Sequence, residues 1–273
     1  MLQPVIQVKK ASFSYGIKRV FSEVSFAVNQ GEVFCIVGPN GCGKTTLLDC
    51  ILGLLKLKQG EIWIDQANLS SLKPKQLAEK VAYVPQVHQR SFPYTVEEIV
   101  LMGRAHRTTL FSVPTAEDRE ITRQALAQVG VEHLANQPYT QISGGQCQLV
   151  MIARALAQQA KIIIMDEPTA HLDFKNELLL LETVVDLVRK DKITVVMATH
   201  FPNHAYYFET NHIPTTLALM NNEAFEEIGR PHEVLNEINI KNIYNINSKV
   251  LNCQLDQTTH IRQIVPLSII KEA

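Results

Sequence analysis

The stretch that most constrains this chain is "GEVFCIVGPNGCGKTTLLDCILGLL", residues 31–55. Its first eight residues are mostly apolar, β-branched or aromatic, as expected of a strand buried on both faces of a sheet. Its last twelve have the make-up of a helix. Between them Gly38, Gly43, Lys44 and Thr45 match the spacing G-x-x-x-x-G-K-[ST]. At such a turn, glycines let the backbone wrap so that N–H groups face phosphate oxygens, and the helix N-terminus adds partial positive charge. Lys44 is then placed for the β- and γ-phosphates of ATP, and the Thr45 hydroxyl for Mg²⁺. Gly38, Pro39, Asn40, Gly41, Cys42, Gly43, Lys44, Thr45 and Thr46 form the candidate nucleotide loop. The alternative, a glycine-rich turn with a chance lysine, is disfavoured by the strand and helix on either side. Cys42 reads as a small tolerated residue close to bound nucleotide.

A buried parallel strand needs partners, and the chain supplies them. "KIIIMD" (161–166) and "ITVVMATH" (193–200) are runs of the same kind, and "KVAYVPQ" (80–86) is a weaker one. Helical patterns lie between, including "NELLLLETVVDLVRK", where Leu178, Leu181, Val184, Val185 and Val188 are expected to share a face. Alternating strands and helices imply an α/β core. "VIQVKKASFSY" and "SEVSFAV" read as paired strands of a small N-terminal antiparallel sheet. From about 87 to 140 no strand is expected. There Thr95 with Glu98, and Thr115 with Asp118, have the spacing of capping boxes, and Gly130 ends a helix. This segment reads as a helical insertion in the α/β core. Later, "TLALMNNEAFEEIG" suggests a hairpin turning at Asn221-Asn222, "GRPHEVLNE" a short helix with Pro231 in its first turn, and "KVLNCQLDQTTHIRQIVPL" two closing strands.

Bulk properties narrow the partners. With 273 residues and a net charge of −1, no general field draws the chain to nucleic acid or anionic lipid. The N-terminus lacks the pattern of a secretory signal, and no apolar run is long enough to span a bilayer. The longest, "LLLLETVVDLV", is interrupted by Glu182 and Asp186. Any link to a membrane is therefore expected to go through a partner. Five cysteines, at 35, 42, 50, 147 and 253, make an odd number with no CxxC pair. That disfavours a disulfide framework or a zinc site and suits a reducing compartment.

Two further segments carry chemistry. In "IIIMDEP", Asp166 ends a buried strand, where its carboxylate can hold Mg²⁺, and Glu167 beside it can polarise an attacking water. "VVMATH" ends a third strand at His200, which belongs near the same nucleotide because ligands of open sheets bind beyond the carboxyl ends of strands. His200 and His204 have H-x-x-x-H spacing, but Pro202 disfavours one helix across them, so a zinc reading is set aside. In "QISGGQCQLVMIARAL" (141–156), Ser143 and Gln146 complete a capping box, with Leu149, Ile152, Ala153 and Leu156 on one side of the helix. The box does not explain two glycines in the first turn. Each costs about 1 kcal/mol relative to alanine in a helix interior, unless a ligand must approach the backbone.

Taken in order, the P-loop, "SGGQ", "IIIMDEP", "LD" and "ATH" resemble the ATP-binding domain of ABC transporters over about residues 5–240. Ile142, Cys147 and Phe201 depart from the usual residues at their positions without touching a group assigned to chemistry. The resemblance implies a RecA-like P-loop NTPase core in residues 1–240, a helical subdomain inserted at about 87–158, and a C-terminal extension, 241–273, of short helix and β-hairpin. It implies that two copies pack head to tail, with each ATP held by the P-loop of one and the "SGGQ" turn of the other. On that pattern Tyr15 stacks on adenine, with Phe13 as the near alternative. Ser143, Gly144 and Gly145, with Gln146, bind the γ-phosphate across the interface. Gln86 contacts Mg²⁺ and water, and Asp173 in "AHLD" joins the two sites. The segment "YTVEEIVLMGRAHRTTLFSVPTAEDREITRQALAQVGVEHLANQPYTQISGGQ" is similar to the ATPases of metal-chelate importers, which serve iron siderophores, haem, cobalamin or molybdate. That implies a peripheral protein on the cytoplasmic face of the inner membrane, bound to a permease and indirectly to a periplasmic or surface substrate-binding protein, with no nucleic acid. An exporter ATPase and a soluble non-transport ABC ATPase are the alternatives.

Overall fold

The computed structural model describes residues 4–86, 92–107, 113–170, 172–254 and 260–270. The chain divides into two compact units, Met1–Ser71 with Val185–Ala273, and Leu72–Val184. Residues 87–91 and 108–112 of the expected insertion, His171 of "AHLD", and residues 255–259 of the closing strands lie outside the described residues.

The first unit opens with an antiparallel hairpin, β1 (Pro4–Tyr15) and β2 (Lys18–Asn29). Alternation, reset by irregularities between Val8 and Ala11 and between Phe21 and Val24, sets its faces: Ile6, Val8, Ala11 and Phe13 of β1, and Phe21, Val24, Phe26 and Val28 of β2, are buried in the core. Next comes β3 (Val33–Val37), buried at all five positions, then α1 (Lys44–Ile51). The ring of Phe26 stacks on Phe34 of β3 at 4.7 Å. Phe21 and Phe34 are fully buried, each contributing about 2 kcal/mol as an upper estimate. With β4 (Gln59–Ile64) and β5 (Ala67–Asn68), the first hairpin completes a four-stranded sheet in the order β2-β1-β4-β5.

The second unit runs through α2 (Pro74–Ala78), β6 (Val81–Val84), α3 (Val96–Leu101), α4 (Ala116–Gln128), α5 (Gly144–Ala157) and β7 (Ile162–Asp166) to α6 (Phe174–Asp191), which carries the chain into the first unit. The expected caps form. The Thr95 hydroxyl accepts from the Glu98 amide at 3.2 Å, and Thr115 does the same for Asp118 at 3.2 Å. Gly130, at φ +74°, follows the end of α4. The buried Arg104 donates from Nε to Asp118 at 2.8 Å and from Nη1 to the Ala157 carbonyl and Gln159 Oε1, both at 2.9 Å. The Arg104 hydrogen bond, reinforced by the Thr115 amide and hydroxyl, lowers the Asp118 carboxyl to about 2.

Back in the first unit the chain forms β8 (Thr194–Thr199), α7 (Asn203–Thr210), β9 (Thr215–Asn221), β10 (Ala224–Gly229), α8 (Pro231–Val234), α9 (Glu237–Tyr244), β11 (Ile246–Gln254) and β12 (His260–Ile269). β3 lies between β8 and β9, parallel to both, and β10 pairs antiparallel with β9. Every residue of β8 is buried, which is why the sequence there shows no alternation.

Three sequence details shift. The β9–β10 turn is Asn222-Glu223, at φ +43° and +68°, with Asn221 already paired to Ala224. A two-residue loop with both φ positive matches the twist of its strands, so the turn sits one residue later than the Asn-Asn pair suggested. On α6, Leu181, Val184, Val185 and Val188 are buried together with Leu180 and Leu187, but Leu178 is 46% exposed. On α5, Leu156 is only half-buried, and burial extends round the helix through Val150, Met151 and Ala155.

Candidate functional site

The nucleotide loop belongs to the first unit. It leaves β3 after Val37 and enters α1 at Lys44, the strand–turn–helix order its sequence requires. Two glycines are demanded by the fold itself. A Cβ on Gly38 would lie 2.2 Å from the Met220 carbonyl oxygen of β9, and one on Gly43 would lie 2.9 Å from Val20 Cγ1. Gly43 also sits at φ +106°, a conformation open to glycine, and serves as the N-cap of α1 with no side-chain cap. The first turn of α1 holds no acidic residue, so its positive end is not offset. Lys44 is buried, and its ammonium donates to the carbonyls of Gly38 at 2.8 Å and Pro39 at 3.1 Å. Asn40, Gly41 and Thr45 are exposed, and Pro39, Cys42 and Thr46 are half-buried.

Tyr15 and His200 belong to this unit as well. Tyr15 is 54% exposed at the tip of the first hairpin, while Phe13 is in the core, so Tyr15 is the aromatic available to a ligand. Val20 of the same hairpin is the residue that crowds Gly43. His200 follows the last residue of β8, with its ring 4.0 Å from that of Phe201. His204 is buried, and its Nδ1 pairs with the Thr199 hydroxyl at 3.0 Å, which gives it a structural place.

The second unit gathers the remaining groups. β6 and β7 run parallel with Val84 opposite Met165. Gln86 and Glu167 therefore both leave the carboxyl end of the pair two residues on, and Gln86 Nε2 donates to Glu167 Oε2 at 3.1 Å. Glu167 has φ +44°, a left-handed conformation that costs a non-glycine residue about 1–2 kcal/mol. The chain turns sharply there, with the Ala170 amide donating to the Glu167 carbonyl at 3.0 Å. Asp166, last residue of β7, is 2% exposed. A buried carboxylate followed by one fixed by an amide donor can divide the tasks of holding a cation and accepting a proton.

The second glycine-bearing turn opens α5. The Ser143 hydroxyl accepts from the Gln146 amide at 3.3 Å, and Gln146 Oε1 accepts from the Ser143 amide at 2.9 Å. The two glycines have different reasons. A Cβ on Gly145 would lie 2.3 Å from Cγ of Asn176, so this glycine is explained by packing and needs no ligand. Among the described residues, a Cβ on Gly144 would meet nothing within 4 Å. The sequence argument from two glycines therefore narrows to Gly144. Asp173 caps α6: its Oδ1 accepts from the Asn176 backbone amide at 2.8 Å and side-chain amide at 2.9 Å. Asn176 thus ties the Asp173 cap to the Gly145 packing. Its only sequence signal is the D-x-x-N spacing.

Residues 21–170 match the sequence family described as ABC transporter. The chain belongs to the ABC transporter family. A molybdate import ATP-binding protein from Haemophilus influenzae is 33% identical to the cassette over 246 residues, 90% of each chain. The structure of a metal-chelate type ABC transporter in an inward-facing conformation aligns with TM-score 0.85 and 32% identity, over 97% of this cassette and 98% of that chain. A dimeric ATP-binding cassette in a post-hydrolysis state, bound to ADP and Pi, aligns with TM-score 0.69 and 28% identity, over 83% of this cassette and 98% of the other. The α/β architecture is thus that of the P-loop NTPase cassettes, and the protein is an ATP-binding ATPase subunit of that family.

Proposed function

We propose that this cassette hydrolyses ATP to power import of a metal chelate of the iron siderophore, haem, cobalamin or molybdate type. The observation that carries the hydrolytic part is the Glu167 carboxylate, held at the end of β7 by Gln86. The metal-chelate part is supported by near full-length likeness to the molybdate import protein and the metal-chelate type transporter.

In this reading the backbone N–H groups of the 38–46 loop, Pro39 excepted, and the Lys44 ammonium hold the phosphates, and Tyr15 stacks on adenine. Thr45, Gln86 and Asp166 offer a hydroxyl, an amide oxygen and a carboxylate, hard donors that suit Mg²⁺. Bound there, Mg²⁺ supplies charge neutralisation on the β- and γ-phosphate oxygens. Glu167 takes a proton from water as the water oxygen bonds to the γ-phosphorus. The bond to the β–γ bridging oxygen breaks, and ADP leaves with that electron pair. His200 hydrogen-bonds the γ-phosphate. Ser143, Gly144, Gly145 and Gln146 complete the site of a second, head-to-tail copy, and Asp173 links the two sites. Two ATPs then join the copies, and hydrolysis releases them.

Among the described residues no helix is long and apolar enough to cross a membrane. In this reading transport calls for a separate integral permease in the inner membrane, with this chain peripheral on its cytoplasmic face and a periplasmic or surface binding protein as an indirect partner. Residues 87–158 are the proposed route to that permease, residues 1–240 the cassette and 241–273 its extension. Nucleic acid has no role.

Glu167→Gln tests the hydrolytic core. Turnover should fall about 10²–10⁴-fold, with ATP affinity unchanged and an ATP-dependent dimer detectable by light scattering. A wild-type rate would remove Glu167 from the base role. Affinity capture from membranes should recover a polytopic permease and a binding protein, and a permease recovered without one would count against import.

A further inference from the structure

We propose that the C-terminal segment, α9 with β11 and β12, is a brace that positions His200, with Asn203 as the positioning residue. The inference rests on the reading of His200 as a γ-phosphate contact and gives a task to a segment that the cassette motifs leave without one.

His200 lies in the three-residue link between Thr199, the end of β8, and Asn203, the start of α7. Part of that link is held from within. The Phe201 amide donates to the Thr199 hydroxyl at 3.1 Å, and the Phe201 ring lies 4.0 Å from His200 and 5.4 Å from His204. The rest is held by the last part of the chain. The Asn203 carboxamide meets the backbone of Ile264 on β12 in both directions: Oδ1 accepts from the Ile264 amide at 2.8 Å, and Nδ2 donates to the Ile264 carbonyl at 3.2 Å. Such a two-point contact fixes distance and orientation together. The Tyr244 hydroxyl, at the end of α9, donates to the His200 carbonyl itself at 3.4 Å. On the buried side of α7 the Tyr206 hydroxyl donates to the Leu235 carbonyl at 2.5 Å.

The hairpin adds little core in return. Leu251, Leu267 and Ile269 are exposed, and among the described residues of the hairpin Ile264 is the buried hydrophobic one. A lone two-stranded hairpin is marginal in water, so this one is held by its attachments. Lys249 and the Val250 amide tie β11 to Glu237 of α9, while Ile264 of β12 reaches the first turn of α7 and Tyr244 of α9 reaches the His200 backbone. A displacement of about 1 Å at a group that meets the transferred phosphate is enough to lower a rate severalfold to a hundredfold.

The test compares full-length Asn203→Ala, Tyr244→Phe, Asn203→Asp and His200→Ala. Asn203→Ala should lower kcat about tenfold, leave KM for ATP within about twofold, and shift the His200 ring resonances in NMR spectra. Tyr244→Phe should act in the same direction more weakly. Asn203→Asp keeps the acceptor for the Ile264 amide and should recover part of the loss. An unchanged kcat per folded chain, with only a lower melting temperature, would overturn the brace and leave Asn203 a stabilising residue. An inactive His200→Ala beside a wild-type rate for Asn203→Ala would overturn the inference alone. A wild-type rate for His200→Ala would overturn the site reading and the brace with it.

Discussion

Two helices of this cassette begin at glycine-bearing turns, and the turns are built by opposite means. Ahead of α1, the fold itself demands glycine: Gly38 is pressed against the Met220 carbonyl, and Gly43 sits at φ +106° against Val20. No side chain caps that helix, and the buried Lys44 ammonium satisfies loop carbonyls instead. Ahead of α5, a capping box between Ser143 and Gln146 satisfies the helix start, Gly145 makes room for Asn176, and Gly144 faces open space. The first turn would keep its glycines for the sake of its own chain. In the second, one glycine has a packing reason among the described residues and the other meets nothing there. That asymmetry is expected where a ligand reaches the turn from another molecule.

Replacing the crowded glycine should have the largest effect. Gly38→Ala forces either the loop or β9 to move and should cost about 3 kcal/mol, seen in denaturant melts, together with loss of ATP binding. A stable Gly38→Ala that binds ATP would break the contrast, because the first turn would then not be set by packing. Gly145→Ala should cost less, about 2 kcal/mol, through the collision with Asn176. Adding Asn176→Ala should restore most of that stability, and a double variant no better than the single one would show that Asn176 is not the cause. Ser143→Arg should be mildest, about 1 kcal/mol for the lost cap, measured by thermal melting. A much larger loss would mean that this turn, too, is locked from within.

What was legible in the sequence follows the physics. β3, β7 and β8 are buried at every position, so their apolar runs stood out. Helix starts were legible where a cap has a fixed spacing, as at Thr95, Thr115 and Ser143. Gln86 and Glu167 are 81 positions apart; Glu167 could be named because it follows the recognisable strand that ends at Asp166, whereas Gln86 was named only through the family resemblance. The Arg104 bonds to Ala157 and Gln159 span more than 50 positions, and Asn203 meets Ile264 across 61. Nothing local marks such polar pairs, since they exist only once helices and strands have packed. The slip at Asn222-Glu223 has the same origin: the register of β9 on β10 chose the turn, not the local preference for Asn-Asn. Leu178 shows the limit of periodicity, which names a face but not where the face stops being covered.

The central claim is that each ATP is shared between two copies, with the α5 turn serving the nucleotide of its partner. Ser143→Arg combined with Glu167→Gln tests it most directly, by ATP titration of the monomer and light scattering at rising protein concentration. The account predicts unchanged monomer affinity and no ATP-driven dimer, against a stable dimer for Glu167→Gln alone. A double variant that still dimerises with ATP, or whose monomer no longer binds it, would contradict the account.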